Sequence, residues 1–530
     1  MFIRVKRAGG HEYLQLAENR WVDGRSRQRI IATLGRLDRL QAAGQVDVLL
    51  RSLGRFSDKV QVQEAHTRGD LEILNVHHIG AALVFGRLWT QLQIDRILGD
   101  LVAGRRFSFD VERAVFFTVL HRLLESGSDR QGMRFLRDVD IPGSDDLKLH
   151  HLYRAMHWLG ENKDEVEERL FSTHRNLFTQ LRLVFFDTTS FYFEGEGGEK
   201  LGQYGHSKDH RPDRRQVVVG ALLTQTGRPL SCTVQPGNQA DVTALVPVVD
   251  RARERFGLTE VCFVADRGMV SGGVIEALEQ RGMGYILGTR MRSVKEIREQ
   301  VLSHSGRYRE VTENLRVKEV RIDERRYIVC HNPHQAKKDA EDRATIVEML
   351  EKKLKAGAKA LIGNRGFRRY LSADRGAMRL DRQRIEAEAR YDGKWVLRTN
   401  TDLPAEEVAL QYKQLLGVEQ LFRSAKSLLE TRPVYHRLDT TITGHIFCSF
   451  LALLLMHELN ERIRQRNEHL EWADILRDLS ALEEIEVRHN NERYLLRSPV
   501  QGVCGKVFQA AGVAIPPTMR PANSPSAKTS

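Results

Sequence analysis

Two short apolar runs that each end in an aspartate constrain the fold of this chain more than any other feature. The first run is Leu183–Phe186, followed by Asp187, and the second is VCFVA (261–265), followed by Asp266. A short, continuous apolar run is typical of a strand that is covered on both faces, as in α/β proteins. A carboxylate at the end of such a strand is costly unless a turn or a cation compensates it. The sequence therefore predicts an α/β core with two acidic strand ends.

Length and charge indicate a multidomain protein with a polyanionic partner. The 530 residues exceed what one hydrophobic core usually serves, and 41% of them are apolar. The formal net charge of +12 makes nucleic acid the first candidate partner. Both ends are basic: residues 1–60 hold 12 basic and 6 acidic residues, and residues 491–530 hold 5 and 1. The five scattered cysteines lack a C-x-x-C pair, so a reducing compartment fits best.

No segment of the sequence predicts insertion into a membrane. The longest apolar stretch, Ile446–Met456, has 11 residues and is too short to span a bilayer, so it is expected to be a buried helix. The N-terminus, MFIRVKRAGG, carries charges where a signal peptide needs its apolar region. The protein is expected to stay inside the cell.

Six segments are predicted along the chain. A basic, strand-rich N-terminal module (1–60) contains the runs FIRVKR, YLQLAE and RQRIIATLG, and a helical domain that binds DNA follows (61–180). The remaining segments are the first part of the core (181–290), an α+β insertion (291–392), the second part of the core (393–460), and a C-terminal helical region with a flexible basic tail (461–530).

The region between the two acidic strand ends is predicted to hold a hairpin and a helix. The strands of the hairpin are 216–223 and 229–235, joined by a glycine-containing turn. Asp241 is expected to cap the helix, and Gly257 is expected to end it. The order of elements is strand, hairpin, helix and strand, with an aspartate at the end of the first and last strands.

One long helix, from Pro404 to Arg432, carries a third acidic candidate, Glu419. On a helix that turns 100° per residue, Tyr412 and Lys426 each fall within about 20° of Glu419, because each is seven residues away. Glu419 is therefore expected at the edge of a packing stripe, where that stripe meets an open crevice. The stripe consists of Val418, Phe422, Ala425 and Leu429.

Asp187, Asp266 and Glu419 are predicted to converge on divalent cations. In open α/β sheets, sites form outside the carboxyl ends of strands. Three crowded carboxylates repel one another unless a cation neutralises them, and hard oxygen ligands suit Mg²⁺ or Mn²⁺. A pair of such ions is the usual arrangement for phosphodiester chemistry. Each residue alone is a weak signal, since an aspartate after a strand more often caps a turn; the three in this order form a stronger one.

At this point the sequence resembles a known family. YKQLLGVEQLFRSAK matches the Tyr-x2-Arg-x3-Glu-x6-Lys signature of insertion-sequence DDE transposases, with Tyr412, Glu419 and Lys426 in place. FFDTTSFYF resembles the first catalytic block of that family and FVADRGMVS resembles the second. HSKDHRPDRRQVVVGALL and VQPGNQAD resemble the stretches between these blocks.

The resemblance implies a ribonuclease-H-like, mixed-sheet catalytic core with an inserted α+β subdomain. Asp187, Asp266 and Glu419 would be the catalytic residues and would bind two Mg²⁺ ions, with Mn²⁺ as a substitute. The implied activity is cleavage at transposon ends and transfer of the 3′-hydroxyl strand into target DNA. The implied partners are double-stranded DNA, at terminal inverted repeats and at the target, and a second copy of the chain in a synaptic complex. The implied location is the bacterial cytoplasm, at the nucleoid.

The resemblance also implies a set of DNA contacts. Leu415 stands where the signature has arginine, so Arg423, one turn beyond Glu419, is the expected substitute. Tyr412, Arg423 and Lys426 would position the scissile phosphate. Further backbone contacts, which add affinity without sequence information, are expected from the loop before the hairpin: Lys208, Arg211, Arg214 and Arg215.

Two other functions are compatible with the same residues. One is a DNA-binding repressor or domesticated factor that keeps the scaffold and no longer cuts. The other is a structure-specific nuclease with a similar core. Three crowded carboxylates argue against the repressor, because nothing obvious would maintain them without a metal. The large insertion and the Tyr412/Lys426 pair argue against the nuclease.

Overall fold

Two compact units make up the computed structural model of the chain. The first comprises Met1–His78, Ala481–Gln501 and Ile515–Ser530, and the second comprises Ile79–Ser480 and Gly502–Ala514. The residues that the structure describes are 1–22, 25–54, 57, 72–174, 182–258, 261–355, 369–374, 377–489 and 492–522.

A three-stranded antiparallel sheet begins the first unit. Its strands, β1 to β3, and the two helices that follow are β1 (Phe2–Ala8), β2 (His11–Val22), β3 (Arg25–Arg36), α1 (Leu37–Ala42) and α2 (Gln45–Gly54). Gly9 and Gly10 join β1 to β2 with φ of 57° and 76°, as a two-residue hairpin turn requires. The three predicted strand-like runs lie within these strands.

A second sheet in the first unit joins segments that are distant in sequence. Its strands are β4 (Glu72–His78), β16 (Glu483–His489), β17 (Glu492–Arg497) and β18 (Met519–Pro521). These C-terminal strands lie in the segment predicted to be helical, so that prediction is wrong for 483–489 and 492–497. The pairing that stabilises β16 spans 411 residues of sequence, from Asn75 to Glu486, and no local pattern reveals it. The predicted flexible tail at 523–530 lies outside the described residues.

Six helices begin the second unit, as the helical periodicity of this region predicts. They are α3 (Gly80–Gln91), α4 (Ile94–Val102), α5 (Val111–Leu124), α6 (Asp129–Asp138), α7 (Leu149–Glu161) and α8 (Lys163–His174). The Asp110 side chain accepts a hydrogen bond from Arg113 N and caps α5. Almost every side chain of α5 is buried, so it lies at the centre of this bundle.

The core is a mixed sheet built around β5. Its elements in chain order are β5 (Leu183–Tyr192), β6 (Gln216–Thr224), β7 (Pro229–Pro236), α9 (Asp241–Phe256), β8 (Cys262–Ala265), α10 (Gly272–Gln280) and β9 (Gly284–Gly288). The sheet order is β7-β6-β5-β8-β9. The sheet is antiparallel from β7 to β5 and parallel from β5 to β9. This arrangement confirms the predicted ribonuclease-H-like core.

The insertion extends the same sheet. Its elements are β10 (Arg309–Thr312), β11 (Leu315–Ile322), β12 (Arg325–His331), α11 (Pro333–Lys355), β13 (Leu371–Asp374), β14 (Ala377–Leu380) and α12 (Arg382–Ala389), and β15 (Lys394–Thr399) follows. β15 pairs antiparallel with β9, and β12, β11 and β10 follow outward, which makes a nine-stranded sheet. The insertion is therefore α+β, as predicted, and continuous with the core.

Different helices cover the two faces of the core sheet. On one face, Val184 and Phe186 of β5 pack in a buried cluster with α9 and α10. On the other face, Phe191 of β5 lines a cavity of about 20 Å³ with Phe422 and Ala425 of α14 (Leu416–Ser427). Because side chains alternate along a strand, Asp187 lies on the same face as Phe191 and α14.

A buried helix, α15 (Asp439–Gln465), packs against the bundle, and α16 (Trp472–Ser480) and α17 (Cys504–Ala511) complete the second unit. Among the described residues, α15 alone is long and apolar enough to cross a membrane by length and composition. Of its most apolar 18-residue window, 78% is buried inside the protein. The helix is therefore a core element, as predicted for Ile446–Met456.

Two glycines allow α7 and α15 to cross at very short distance. A Cβ atom on Gly160 would overlap the carbonyl oxygen of Thr440, and a Cβ atom on Gly444 would overlap that of Met156. Backbone atoms cannot move aside as the end of a flexible side chain can. The crossing therefore requires glycine at both positions.

We expect Gly444→Ala to lower the free energy of unfolding by about 1–3 kcal/mol, the usual cost of overpacking a tight core. Gly99→Ala in α4 is the matched control, because a Cβ atom there meets nothing within 4 Å. The control should raise stability by up to about 1 kcal/mol through helix propensity. Urea unfolding measures the free energy of unfolding of both variants. Equal unfolding midpoints for the two variants would contradict the requirement for glycine where α7 crosses α15.

Candidate active site

The two predicted aspartates are neighbours because their strands are parallel and adjacent. β5 and β8 pair in register up to Phe186 and Ala265, so Asp187 and Asp266 follow the last pair side by side. β8 ends there, whereas β5 continues along β6, with Asp187 opposite Ala221. The prediction that a strand ends at each aspartate is correct for Asp266 and wrong for Asp187, because β5 continues along β6 to Tyr192; Asp187 lies within β5, where its pairing with β8 ends.

Asp187 sits in a poorly hydrated position. Thr188 N donates a hydrogen bond to its Oδ1 (2.7 Å). Burial raises the pKa of Asp187 to about 6, Lys208 opposes this rise, and the nearby carboxylates of Asp266 and Asp241 add to it. Burial and the two neighbouring carboxylates therefore disfavour the charged form of Asp187.

Asp241, for which the sequence pattern predicts only a helix cap, is a third carboxylate at this edge. The N-cap of α9 is Ala240, and Asp241 instead accepts a hydrogen bond from Thr188 Oγ1 at its Oδ1 (2.7 Å). A Cβ atom on Gly268 would lie 3.8 Å from Asp241 Oδ2 and 3.9 Å from Asp266 Oδ2, so both carboxylates face one small space. The stretch VQPGNQAD, which ends in Asp241, was the available signal.

Lys208 is the cation beside these carboxylates. Its Nζ donates to Thr188 O (2.8 Å) and Thr188 Oγ1 (2.9 Å) and lies 3.2 Å from Asp241 Oδ2. Lys208 therefore joins the loop before the hairpin to the strand that carries Asp187. It was predicted as a DNA contact, and the structure places it at the carboxylates.

Tyr412 reaches Asp266 from α13 (Ala405–Lys413). Its hydroxyl donates to Asp266 Oδ1 (2.9 Å), and burial, followed by the charge of Asp266, raises the pKa of this phenol. A Cβ atom on Gly288, the last residue of β9, would overlap the hydroxyl of Tyr412. The approach of Tyr412 to Asp266 therefore depends on glycine at the end of β9.

The predicted long helix is broken between Tyr412 and Glu419, which corrects that prediction. Around the break, Leu415 N bonds to Tyr412 O (3.1 Å) and Val418 N to Leu415 O (3.0 Å), three residues apart in place of four. Such bonds turn the chain by about 120° per residue, so a spacing of seven no longer returns to the same face. Leu415 is buried at this break, in the position where the family signature has arginine.

The structure does not bring Glu419 together with Asp187 and Asp266. Its side chain is exposed near the start of α14 and has no hydrogen-bond or ion-pair partner among the described residues. Within the same residues, no group of three or more His, Cys, Asp or Glu side chains is arranged to hold a metal ion. α14 nevertheless packs on the sheet face that carries Asp187. The convergence of all three carboxylates stays a prediction.

The predicted DNA contacts have different environments. Lys426 is mostly buried, and its Nζ donates to Asp209 Oδ1 (2.7 Å). Arg423, on the same helix, is exposed and has no side-chain partner among the described residues. The three loop arginines have local partners: Arg211 with Asp213 (2.8 Å), Arg214 with Glu194 (3.0 Å), and Arg215 with Glu196 O (3.1 Å).

Solved structures of transposases resemble the chain weakly. The cryo-EM structure of the piggyBac transposase synaptic complex with hairpin DNA is 10% identical, with a TM-score of 0.37, and the match covers 76% of this chain and 79% of that one. The Mos1 transposase paired-end complex with left transposon end is 11% identical, with a TM-score of 0.15 and coverage of 35% and 61%. A search of curated proteins found no match.

Two family profiles match the chain directly. The transposase DDE domain profile matches residues 179–455, which include Asp187, Asp266 and Glu419. The profile of the IS1634 family transposase N-terminal domain matches residues 3–65. The first match alone spans more than half of the chain and contains the whole mixed core sheet. The chain therefore belongs to the insertion-sequence DDE transposases.

Proposed function

We propose that this transposase cleaves DNA at the ends of its element in a Mg²⁺-dependent reaction and joins the freed 3′-hydroxyl strand to target DNA. The observation that carries the proposal is the placement of Asp187 beside Asp266 at the edge of β5 and β8. The match of this region to a DDE domain supports the same chemistry.

Asp187 and Asp266 fit a divalent cation. Both offer hard carboxylate oxygens, and Asp187 lies where burial and two neighbouring carboxylates disfavour its charge. A divalent cation would offset that repulsion. Asp187, Asp266 and Glu419 would hold two Mg²⁺ ions, with Mn²⁺ as a substitute. When bound, such ions supply Lewis acidity for in-line attack on a phosphodiester.

The other residues of the site act on the aspartates and the substrate. Tyr412 orients Asp266 through its hydroxyl. Lys208 balances the charge of Asp187 and Asp241 while the site holds no DNA. Two of its three N–H donors already meet Thr188, so its ammonium is held in one place. We propose that the scissile phosphate binds beside this ammonium, where a fixed positive charge would favour it.

Double-stranded DNA is the proposed partner, at terminal inverted repeats and at the target. The net charge of +12 favours a polyanion. Tyr412, Arg423 and Lys426 would position the scissile phosphate, and the proposed contacts to the rest of the DNA backbone are Lys208, Arg211, Arg214 and Arg215. The proposed assembly is a homodimer that pairs two ends in a synaptic complex, in the bacterial cytoplasm at the nucleoid.

A DNA-binding repressor or domesticated factor is the second candidate, because Glu419 is exposed and stands apart from the aspartate pair. Incubation of the purified protein with Mg²⁺ and terminal-repeat DNA separates the two functions. A transposase nicks the repeats, whereas a repressor binds them intact. The DNA that flanks the gene supplies the repeat sequence.

We expect Asp187→Asn, Asp266→Asn and Glu419→Gln each to abolish Mg²⁺-dependent cleavage and to leave binding to the terminal repeats nearly unchanged, because each removes a charge that holds the ions. Gel analysis of labelled repeat DNA measures cleavage, and fluorescence anisotropy measures binding. Glu276→Gln, an exposed carboxylate of α10, is the control. Cleavage at the wild-type rate by any of the three variants would remove that residue from the site.

We expect Gly288→Ala to slow cleavage about tenfold or more, which corresponds to a loss of about 1.4 kcal/mol in the transition state. The added methyl group would overlap the Tyr412 hydroxyl and come within 3.0 Å of Arg267 N, and so disturb the contact between Tyr412 and Asp266. DNA affinity should stay the same. Gly273→Ala is the matched control, because a Cβ atom there meets nothing within 4 Å. An unchanged rate in Gly288→Ala would show that the Tyr412 contact is dispensable.

We expect Arg423→Ala to weaken DNA binding and to reduce the salt dependence of the affinity by about one phosphate contact. The reason is that the exposed guanidinium has no side-chain partner to give up among the described residues. Affinity measured over a range of salt concentrations tests this prediction. A salt slope equal to that of the wild type would mean that Arg423 touches no phosphate.

A further inference from the structure

The segment Ser207-Lys208-Asp209 ties the loop before the hairpin to β5. Lys208 N donates to Ser190 Oγ (2.8 Å), which is three residues beyond Asp187 on β5. Ser207 Oγ accepts hydrogen bonds from Asp209 N (3.3 Å) and Arg211 N (3.1 Å), which closes the local turn. The backbone of Asp209 is therefore fixed relative to the strand that carries Asp187.

The Asp209 side chain is directed toward α14. It is 2% exposed, and its Oδ1 accepts a hydrogen bond from Lys426 Nζ (2.7 Å) and lies 3.4 Å from Arg432 Nε. Its Oδ2 is buried and has no hydrogen-bond partner among the described residues. A buried carboxylate in this environment is costly, and an apolar pair of the same volume is often at least as stable. Stability alone therefore does not account for Asp209.

Asp209 is the anion that faces a cluster of cations. Burial lowers the pKa of Lys426, the nearby charges of Arg432 and Lys208 lower it further, and Asp209 raises it. The Lys426 ammonium also lies 5.9 Å from the centroid of the Phe191 ring. An ammonium has three N–H donors. With one donor directed at Asp209 and the ammonium beside the Phe191 ring, the direction of the remaining donors is restricted.

We infer that Asp209 is a positioning residue, which holds the ammonium of Lys426 where it meets the phosphate of the scissile strand. The inference rests on the proposed function, in which Lys426 contacts DNA. Asp209 links a loop fixed to β5 with the helix that bears Glu419 and Lys426, and so aligns the two halves of the core. Arg423 on the same helix has no such buried partner among the described residues.

The test uses the full chain and the variants Asp209→Asn, Lys426→Met and their double mutant. If Asp209 acts through Lys426, Asp209→Asn slows cleavage about tenfold or more, as a misplaced group does, with less than about threefold change in DNA affinity. In the Lys426→Met background it should then have no further effect on the rate, since coupled residues are not additive. Independent, multiplying effects or a wild-type rate in Asp209→Asn would overturn the inference.

A second measurement does not depend on cleavage. Acylation of lysines by an N-hydroxysuccinimide acetate, followed by mass spectrometry, reports how accessible Lys426 is in the free protein. Asp209→Asn should speed labelling of Lys426, and terminal-repeat DNA should protect Lys426 in the wild type. Equal labelling of Lys426 in the two proteins overturns the inference. Absence of cleavage in the wild type, with this labelling pattern intact, counts against the proposed function alone.

Two variants keep the result interpretable. Asp250→Asn is the matched control, since Asp250 forms an ion pair with Arg281 (2.6 Å) between α9 and α10 and should leave cleavage and Lys426 labelling unchanged. Asp209→Glu keeps the charge and lengthens the side chain by one methylene group. It should fold, retain slow labelling of Lys426 and still cleave more slowly than the wild type; cleavage equal to the wild type would mean that the position of the ammonium does not matter.

Discussion

The parallel pairing of β5 with β8 is the interaction on which the rest of the site depends. Their last register pair, Phe186 and Ala265, places the next residue of each strand at one edge, and both next residues are aspartates. A shift of one residue in register would turn the side chains of one strand to the opposite face. The buried apolar residues before each aspartate oppose such a shift, because they would lose their places in the core.

Charge around this edge is only partly balanced within the protein. Asp187, Asp241 and Asp266 lie near one another, whereas Lys208 is the cation that opposes the rise in the pKa of Asp187. Tyr412 contributes a hydrogen bond without charge. This excess of carboxylates would favour the binding of divalent cations at the edge. The helix α14 packs on the sheet face that carries Asp187.

Much of the core was predictable from local pattern. The hairpin β6–β7, the helix α9 with Gly257 in a left-handed conformation (φ 63°), and the buried apolar runs before Asp187 and Asp266 all follow from short-range signals, whereas the continuation of β5 beyond Asp187 does not. The break between α13 and α14, where Leu415 is buried and hydrogen bonds join residues three apart, does not follow from helical periodicity, because the apolar pattern continues across it. Likewise, Asp241 reads as a helix cap until Thr188, 53 residues away, is seen to donate to it.

The sequence by itself determined two buried apolar runs that are each followed by an aspartate, Asp187 and Asp266. The physical reason is that apolar runs of this length must be covered on both faces, which leaves the following carboxylate at an edge. Only the tertiary structure decided the partners of those residues: Asp266 with Tyr412 across 146 residues, and Asp209 with Lys426 across 217. Such pairs depend on how helices and strands pack, and no local pattern in the chain encodes which residues meet across such long sequence separations.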